Sequence, residues 1–256
     1  MLKIAVITIF PEMFGLIIST GVNRKAFDKK IVELLLFNPR DYTEDAHKTV
    51  DDRPFGGGPG MVMMYDPLYK ALKEAKKSLG DDVKVVYLSP QGNSVTQKYI
   101  NSLSKSVMPV IFICGRYEGI DERFIDECVD EEVSIGDYVV SGGELPAMMI
   151  MDAMIRMIPG VLGHHRSAIE DSFYDGLLDC PHYTRPAVVD GVGMVPDVLL
   201  SGHHEKISLW RKKQSLGRTY ERRPEMIDSQ CLSEKDIQLL AEYKNEKRQC
   251  KQNKGE

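Results

Sequence analysis

Three consecutive units of the same kind constrain the fold of this 256-residue chain more than any other feature of its sequence. In each unit a short apolar strand is followed by a loop of Gly, Pro and small polar residues, and then by a helix. The strands are predicted at Val83–Leu88, Val110–Cys114 and Val133–Val140, and the helices at Thr96–Ser104, Asp121–Cys128 and Pro146–Met157. This alternation predicts an α/β fold with a mostly parallel sheet flanked by helices.

The N-terminal part of the chain supplies the remaining elements of the predicted sheet domain. Alternating apolar residues predict strands at Lys3–Phe10 and Ile31–Phe37, with a helix that opens at Pro11 between them. Asp66 and Pro67 are predicted to be the N-cap and the first residue of the next helix.

The pattern changes after the third unit. A Gly- and His-containing segment leads into a sequence that is helical beyond about Val198. Ser201 or Gly202 is predicted to begin a helix that runs through Trp210, and Ser233 is predicted to cap the last helix with Asp236 at its N3 position. We therefore divide the chain into a sheet domain at residues 1–160, a flexible linker at 161–172 and a small, mainly helical domain at 173–256.

Charge is distributed unevenly along the chain. Residues 201–256 hold 13 Lys and Arg against 9 Asp and Glu, a balance of +4, whereas the rest of the chain has a balance of −9. A basic tail on an acidic body is typical of a protein with a polyanionic partner, although a solvated helical surface explains the charge equally well.

Composition and spacing exclude several classes of protein. No apolar run approaches the roughly 20 residues that span a bilayer, and the N-terminal sequence lacks the features of a signal peptide, so we expect a cytoplasmic protein with no membrane partner. The five cysteines are widely spaced and the paired histidines lack metalloprotease spacing. We therefore assign no structural metal.

The usual nucleotide-binding motifs are absent. Gly56–Gly60 is not followed by Lys and Ser or Thr, and no GxGxxG opens a helix after the first strand, which weighs against ATP hydrolysis and hydride transfer. Ligands of open α/β sheets bind beyond the carboxyl ends of the strands, where Gly lets the backbone approach them closely. Tight turns also use Gly and Pro for structural reasons, but three such loops in succession predict a ligand pocket. Ser134–Pro146 contains the third of these loops.

The predicted helix Pro146–Met157 is apolar on all sides, which predicts burial in a core or at a subunit interface. Its only charged residues, Asp152 and Arg156, are four apart and share one face. Spacing alone leaves two interpretations: a buried ion pair, or an arginine held rigidly to stabilise an anion. Asp171, further along, is by itself typical of a turn or cap residue.

Long motifs in this chain resemble the bacterial tRNA (guanine-N1)-methyltransferase family, which belongs to the knotted SPOUT class. They are found at Asp52–Met61, Leu88–Gly92, Cys114–Asp121, Ser134–Pro146, Pro159–Gly163, Asp171–Phe173, Leu178–Pro186 and Lys213–Thr219. The resemblance extends in order to about Tyr243. It implies a deep trefoil knot in the N-terminal domain and an obligate homodimer whose two active sites each use both subunits.

The resemblance also implies that the three loops hold the methyl donor S-adenosylmethionine in a bent form. Glu118 would lie near the cationic methionine end, where a carboxylate is favoured; otherwise it is an exposed loop charge. The residues that the resemblance assigns to the cofactor are Tyr87, Leu88, Ser89, Pro90, Gly115, Tyr117, Glu118, Ser134, Ile135, Gly136, Asp137, Tyr138, Val139, Val140, Gly142, Gly143 and Pro146.

The implied substrate is the guanine at tRNA position 37, just 3′ of the anticodon. Asp171 matches the general base that removes the N1 proton, and Arg156 would stabilise the charge that develops on O6. The helical domain would bind the anticodon stem-loop, and the linker would be mobile until tRNA orders it and delivers Asp171. The candidate phosphate-binding residues are Arg211, Lys212, Lys213, Arg218, Arg222 and Arg223.

Two other functions and one cofactor question stay open at this point. The same enzyme class could act on ribosomal RNA or on a ribose hydroxyl, or the chain could be a non-catalytic RNA-binding protein with a structural cofactor. The Asp171-Ser172 and Gln214–Thr219 motifs favour a tRNA guanine, and the presence of both Asp171 and Arg156 disfavours a non-catalytic role. No carboxylate cluster marks a Mg²⁺ site, so an assisting Mg²⁺ is left open.

Overall fold

The computed structural model describes residues 1–106, 108–163, 168, 171–228 and 231–252. The chain divides into two compact units, Met1–His165 and Arg166–Glu256. The first unit contains two clusters of buried apolar side chains and the second unit contains a third, so each unit has a hydrophobic core of its own.

The first unit is built on a five-stranded sheet in which every pair of neighbouring strands runs parallel. In chain order the unit contains β1 (Leu2–Ile7), α1 (Gly15–Ser19), α2 (Gly21–Asp28), β2 (Val32–Phe37), β3 (Asp51–Asp52), β4 (Val62–Met63), α3 (Tyr65–Leu79), β5 (Lys84–Ser94), α4 (Gln97–Lys105), β6 (Val110–Cys114), α5 (Glu122–Cys128), β7 (Glu131–Ser134) and α6 (Glu144–Ile155). The strand order is β2-β1-β6-β5-β7, and β3 and β4 form a separate antiparallel pair. The predicted α/β fold with a mostly parallel, helix-flanked sheet is confirmed.

Both faces of this sheet are covered, as parallel sheets require. Alternate residues of the central strand β6 point to opposite faces. Val110, Phe112 and Cys114 pack into the cluster that contains α4 and α6, whereas Ile111 and Ile113 pack into the cluster that contains α3 and α5. All five side chains are buried, so β6 fixes the sheet between the two helical layers.

Several predicted element boundaries in this unit are wrong. The first strand ends at Ile7 and not at Phe10, and α6 begins at Glu144, before the predicted Pro146. Helix α3 begins at Tyr65 after Met64 and has no capping side chain, so Asp66 is not its N-cap. Strand β5 continues past Leu88 and pairs with β7 again beyond an irregularity, because the residues after Leu88 stay extended. The predicted strand Val133–Val140 ends at Ser134, because Gly136 adopts a φ of +147° and the chain leaves the sheet.

The second unit is mainly helical. It contains a short antiparallel pair, β8 (Val188–Val189) and β9 (Gly193–Met194), and the helices α7 (Asp197–Leu200), α8 (His204–Arg222), α9 (Pro224–Asp228) and α10 (Glu234–Gln252). Leu216 of α8 is fully buried against Leu239 and Leu240 of α10.

Helix boundaries in the second unit follow the sequence prediction in one case and differ in another. The predicted capping box is confirmed, because the Ser233 hydroxyl oxygen accepts a hydrogen bond from the Asp236 backbone N–H (3.2 Å) and the Ser233 backbone N–H donates to the Asp236 carboxylate (3.4 Å). Helix α8 begins at His204, later than the predicted Ser201 or Gly202. None of the described helices is both long enough and apolar enough to cross a membrane.

The predicted linker at 161–172 lies partly outside the described residues, since the structure does not describe residues 164–167, 169 and 170. Asp171 and Ser172 at its end belong to the second unit. The division into a sheet domain, a linker and an RNA-binding domain stays a prediction.

Candidate functional site

A cavity of about 230 Å³ lies at the carboxyl ends of β5, β6 and β7. Three segments surround it, which we name as loops. The first loop is residues 88–91, in the irregular stretch of β5 after Leu88, the second loop is residues 115–119 and the third loop is residues 135–143. All the predicted cofactor residues line this cavity except Gly136 and Asp137. The sequence therefore predicted which loops meet, whereas cofactor binding by these residues stays a prediction.

The second and third loops touch through their backbones. The Gly143 N–H donates to the carbonyl of Gly115 at 2.9 Å, and Arg116 and Gly142 form an antiparallel bridge. A Cβ atom at position 143 would lie 2.7 Å from Cα of Cys114, closer than real Cβ atoms approach other atoms. Glycine is required at this position because two backbones pass each other without room for a side chain.

A second close approach joins the first loop to β7. A Cβ atom on Gly92, which directly follows the first loop, would lie 2.3 Å from the backbone carbon of Glu132. The hydroxyl of Tyr87 lies against Gly115, where a Cβ atom would be 2.8 Å from it. Burial raises the pKa of Tyr87 to about 12, so this phenol is neutral at physiological pH.

A buried ion pair joins the second and third loops to the rest of the sheet. The Glu144 carboxylate is fully buried at the start of α6 and accepts hydrogen bonds from Arg116 Nε (2.8 Å) and the Thr8 hydroxyl (2.8 Å). Arg116 also donates to the carbonyl of Ser141 (3.2 Å) and lies over the ring of Phe10 (4.5 Å to its centroid). This network connects the end of β1, both loops and α6.

Sequence reasoning missed Arg116 and Glu144. The sequence offered two signals for this pair: an arginine in the second loop, and a glutamate that follows two glycines at the start of an apolar helix. We now expect Glu144→Gln to lower the free energy of unfolding by about 2 kcal/mol, because a charged hydrogen bond to Arg116 becomes a neutral one inside the protein. Urea unfolding followed by fluorescence measures this loss.

The matched control for this prediction is Glu74→Gln, which removes an exposed ion pair with Lys77 on α3. Exposed pairs contribute little, so this variant should lose less than about 1 kcal/mol. Equal losses in the two variants would contradict a structural role for the buried pair.

The Gly-rich segment Gly56–Gly60 and the following Met61 precede β4, and the end of this segment lies beside the second loop. The Glu118 backbone N–H donates to the carbonyl of Met61 (2.9 Å), and a Cβ atom on Gly60 would lie 2.4 Å from the Glu118 side chain. Glu118 is exposed and lines the cavity. The loop before Met61 therefore packs against the carboxylate that the sequence assigned to the cationic end of the cofactor.

Arg156 lies at the far end of α6 from the cavity. It is the C-cap of this 12-residue helix, whose N-terminal end carries the third loop. At 1.5 Å per residue the helix separates the two by about 18 Å. The structure therefore does not bring Arg156 to the cavity of its own unit.

Asp152, the predicted partner of Arg156, has a neighbour that the sequence did not indicate. The Asn23 side-chain amide donates to the Asp152 carboxylate at 2.6 Å and joins α2 to α6. Asp171 belongs to the second unit, where its carbonyl accepts a hydrogen bond from the Tyr174 N–H at 3.4 Å.

The six candidate phosphate-binding residues lie on α8 or directly after it. Three of them are paired with carboxylates of the second unit: Lys212 with Asp175 (3.7 Å), Lys213 with Glu246 (2.6 Å), and Arg223 with Glu225. These pairs reduce the charge that those three residues offer to a nucleic acid.

One group of metal-ligating side chains occurs in the part of the chain that the structure describes. The ligand atoms of Asp179, Cys180 and His182 lie within 4.8 Å of one another. His182 Nε2 lies 2.7 Å from the Asp179 carboxylate, which also accepts the Cys180 backbone N–H (2.6 Å). Burial raises the pKa of Cys180 to about 11, so the thiol is protonated when no metal is bound.

The fold and the cavity together define an α/β protein with a cavity at the edge of its parallel sheet where ligands of such folds bind. A family model described as tRNA (Guanine-1)-methyltransferase TrmD matches residues 2–229. The chain belongs to this family of enzymes, which confirms the resemblance that its motifs indicate.

Close relatives of the chain support the same assignment. A protein of Pseudomonas savastanoi pv. phaseolicola is 58% identical over 246 residues, which cover 96% of this chain and 98% of the relative. Proteins of Tolumonas auensis and Shewanella woodyi are each 56% identical, over 95% and 96% of this chain and 97% and 99% of their own lengths. All three are named tRNA (guanine-N(1)-)-methyltransferase.

Proposed function

We propose that this protein transfers the methyl group of S-adenosylmethionine to N1 of the guanine at position 37 of tRNA. The observation that carries the proposal is the cavity at the ends of β5, β6 and β7, in a chain of the TrmD family. We propose that the reaction takes place in the cytoplasm, where a tRNA substrate is found.

The cavity suits a methyl donor that combines an adenosine with a charged amino-acid end. Leu88, Ile135 and Val140 supply apolar surface for a base, and the glycines of the second and third loops let the backbone itself form part of the cavity wall. The exposed carboxylate of Glu118 favours a cationic group. When bound, S-adenosylmethionine supplies an electrophilic methyl group.

The protein's own contribution is to remove a proton and to stabilise an anion. Guanine N1 is protonated at neutral pH, so it becomes a nucleophile only when a base takes that proton, and we assign this role to Asp171. Loss of the proton places negative charge on guanine O6. Hydrogen bonds from Arg156 would stabilise this charge by about 3 kcal/mol.

We propose that two copies of the chain share each active site. Arg156 is separated from the third loop of its own chain by the length of α6, so a second copy is the simplest source of the missing group. Leu145 and Met149 of α6 are 50% and 54% exposed, and Leu16 of α1 is 70% exposed. Burial of these apolar side chains would stabilise the dimer.

We also propose that the sheet domain contains the deep trefoil knot of the SPOUT class. A close backbone approach at Gly143 against Cys114 supports this. There the third loop passes the end of β6 at a distance that excludes any side chain. Tightly crossed loops of this kind are expected where a chain passes through its own fold.

The second unit is proposed to hold the anticodon stem-loop through phosphate contacts. Arg211, Arg218 and Arg222 on α8 are the candidates among the six that have no carboxylate partner described above. Because the target base must leave its stack to be modified, such contacts position the stem while the guanine enters the cavity.

Transfer of labelled methyl to tRNA tests this function. Wild-type protein with S-adenosylmethionine should label a transcript that carries G at position 37 and should leave the matched transcript with A37 unlabelled. Nucleoside analysis should show 1-methylguanosine. Label in a ribose, or equal labelling of the A37 transcript and of ribosomal RNA, would contradict the proposal.

A further inference from the structure

Asp171 stands next to a closed loop in the second unit. The backbone N–H of Asp179 donates to the side-chain oxygen of Ser172 at 2.9 Å, and the N–H of Phe173 donates to the carbonyl of Leu177 at 2.7 Å. The first bond joins the ends of the segment 172–179, which we name the Asp171 loop, and the second bond closes this loop further inside. Its closure begins at the residue that directly follows Asp171.

The Asp171 loop is attached to helix α8 by a buried threonine. The Leu178 N–H donates to Thr219 Oγ1 at 2.9 Å, and the Thr219 hydroxyl in turn donates to the carbonyl of Ser215 at 2.7 Å. Thr219 is fully buried, so water cannot replace it as the acceptor for this N–H. Leu177, one residue earlier, is buried in the core formed by α8, α9 and α10.

The backbone beside Asp171 is held in a conformation that side chains rarely adopt. Phe173 has a φ of +72°, and such a residue persists only where its surroundings determine its conformation. On one side, the hydrogen bonds of Ser172 and Thr219 hold the loop in this conformation. On the other side the guanidinium of Arg223 lies 5.9 Å from the centroid of the Phe173 ring.

We propose that Ser172 and Thr219 are positioning residues that present Asp171 as a preformed element of the second unit. This inference rests on the proposed function, in which Asp171 is the general base. It differs from the expectation that tRNA orders the segment around Asp171, because the bonds that fix the loop are present in the protein alone. A displacement of a catalytic group by about 1 Å can lower a rate 100-fold, so loss of the Thr219 anchor should be visible in catalysis.

Thr219→Val tests the anchor with a side chain of the same shape that cannot accept a hydrogen bond. We expect the single-turnover rate at saturating tRNA and S-adenosylmethionine to fall about 10- to 100-fold, with unchanged KM for both. Thr219→Ser keeps the hydroxyl and should retain most of the rate. If the buried valine impairs folding, Ser172→Ala tests the same inference. This variant removes the bond to the Asp179 N–H and should lower the single-turnover rate as well.

Amide hydrogen exchange without tRNA gives a readout that does not depend on activity. The N–H groups of Leu178 and Asp179 should exchange slowly in the wild-type protein. In Thr219→Val the Leu178 amide should lose its protection. Rapid exchange of both amides in the wild-type protein would overturn the inference of a preformed loop.

Two controls separate this inference from its alternatives. Ser233→Ala removes a capping hydroxyl from α10 in the same unit, away from the loop, and should keep the wild-type rate; a loss equal to that of Thr219→Val would overturn the inference. Asp171→Asn is measured alongside. An active Asp171→Asn variant would overturn the base assignment and the inference with it. An inactive Asp171→Asn variant together with a fully active Thr219→Val variant would overturn the inference but leave the base assignment intact.

Discussion

Replacement of Asp171 by asparagine should lower the single-turnover rate of methyl transfer by about 10² to 10⁴-fold. Asparagine has the same size and keeps a hydrogen-bonding side chain, but its amide does not accept a proton at neutral pH. The affinity for S-adenosylmethionine should stay close to the wild-type value, because the cofactor cavity lies in the first unit and Asp171 lies in the second. Rapid-quench assays with labelled cofactor and calorimetry measure the two quantities.

Asp175→Asn is the matched control for this prediction, since it makes the same change four residues further along, inside the Asp171 loop. The Asp175 oxygen accepts the Leu177 N–H, and an asparagine can accept it as well. The control should keep the wild-type rate. The residual rate of Asp171→Asn should also increase with pH, because hydroxide then replaces the missing base. Equal rates for the two variants at neutral pH would remove Asp171 from the mechanism.

The sheet and the position of the cavity were predictable because their signals are local. Strand β6 is a run of five apolar residues bounded by Pro109 and Gly115, and its predicted bounds agree with the structure. The carboxyl ends of parallel strands meet at one edge of a sheet, so three Gly-rich loops at successive strand ends had to lie close together.

The third loop shows why local signals failed elsewhere. Tyr138, Val139 and Val140 have high strand propensity, so the sequence predicts that β7 continues through them. The chain instead turns at Gly136 and crosses towards the second loop, where Gly143 bonds to Gly115. Contacts between distant segments override propensity at this point, and a single sequence does not show them.

The buried Arg116–Glu144 pair was unpredictable for a related reason. Its members are 28 residues apart, and a charged side chain in a loop ordinarily indicates exposure to solvent. Only the crossing of the second and third loops encloses both charges. The same crossing makes Gly143 the residue whose replacement should damage the cavity most.

Gly143→Ala should both destabilise the protein and abolish cofactor binding at micromolar concentrations. The added Cβ would lie 2.7 Å from Cα of Cys114, which is backbone of the central strand and cannot move aside as a flexible side chain would. The third loop must therefore separate from the second and lose the bond between Gly143 and Gly115. Overpacking of this kind costs about 1–3 kcal/mol, which lowers Tm by roughly 2–12 °C in a protein of this size.

The control for this variant is Gly15→Ala. Gly15 begins α1 with a φ of −55°, and an added Cβ would meet nothing within 4 Å. Its stability should stay within about 0.5 kcal/mol of the wild type and its cofactor affinity should be unchanged. Thermal unfolding and calorimetry with S-adenosylmethionine compare the two variants. Wild-type affinity in Gly143→Ala would show that the third loop does not depend on this backbone contact.

The same variant tests whether two copies share an active site. Gly143→Ala lacks a working cavity but keeps Asp171, whereas Asp171→Asn keeps the cavity but lacks the base, so each homodimer alone should be inactive. In a mixed dimer, purified through two different affinity tags, the intact cavity of one chain faces the intact Asp171 of its partner if the site is shared. One working site per mixed dimer should then appear in a methyl-transfer assay. A mixed dimer as inactive as its parents would show that the cavity and Asp171 of one site must come from the same chain.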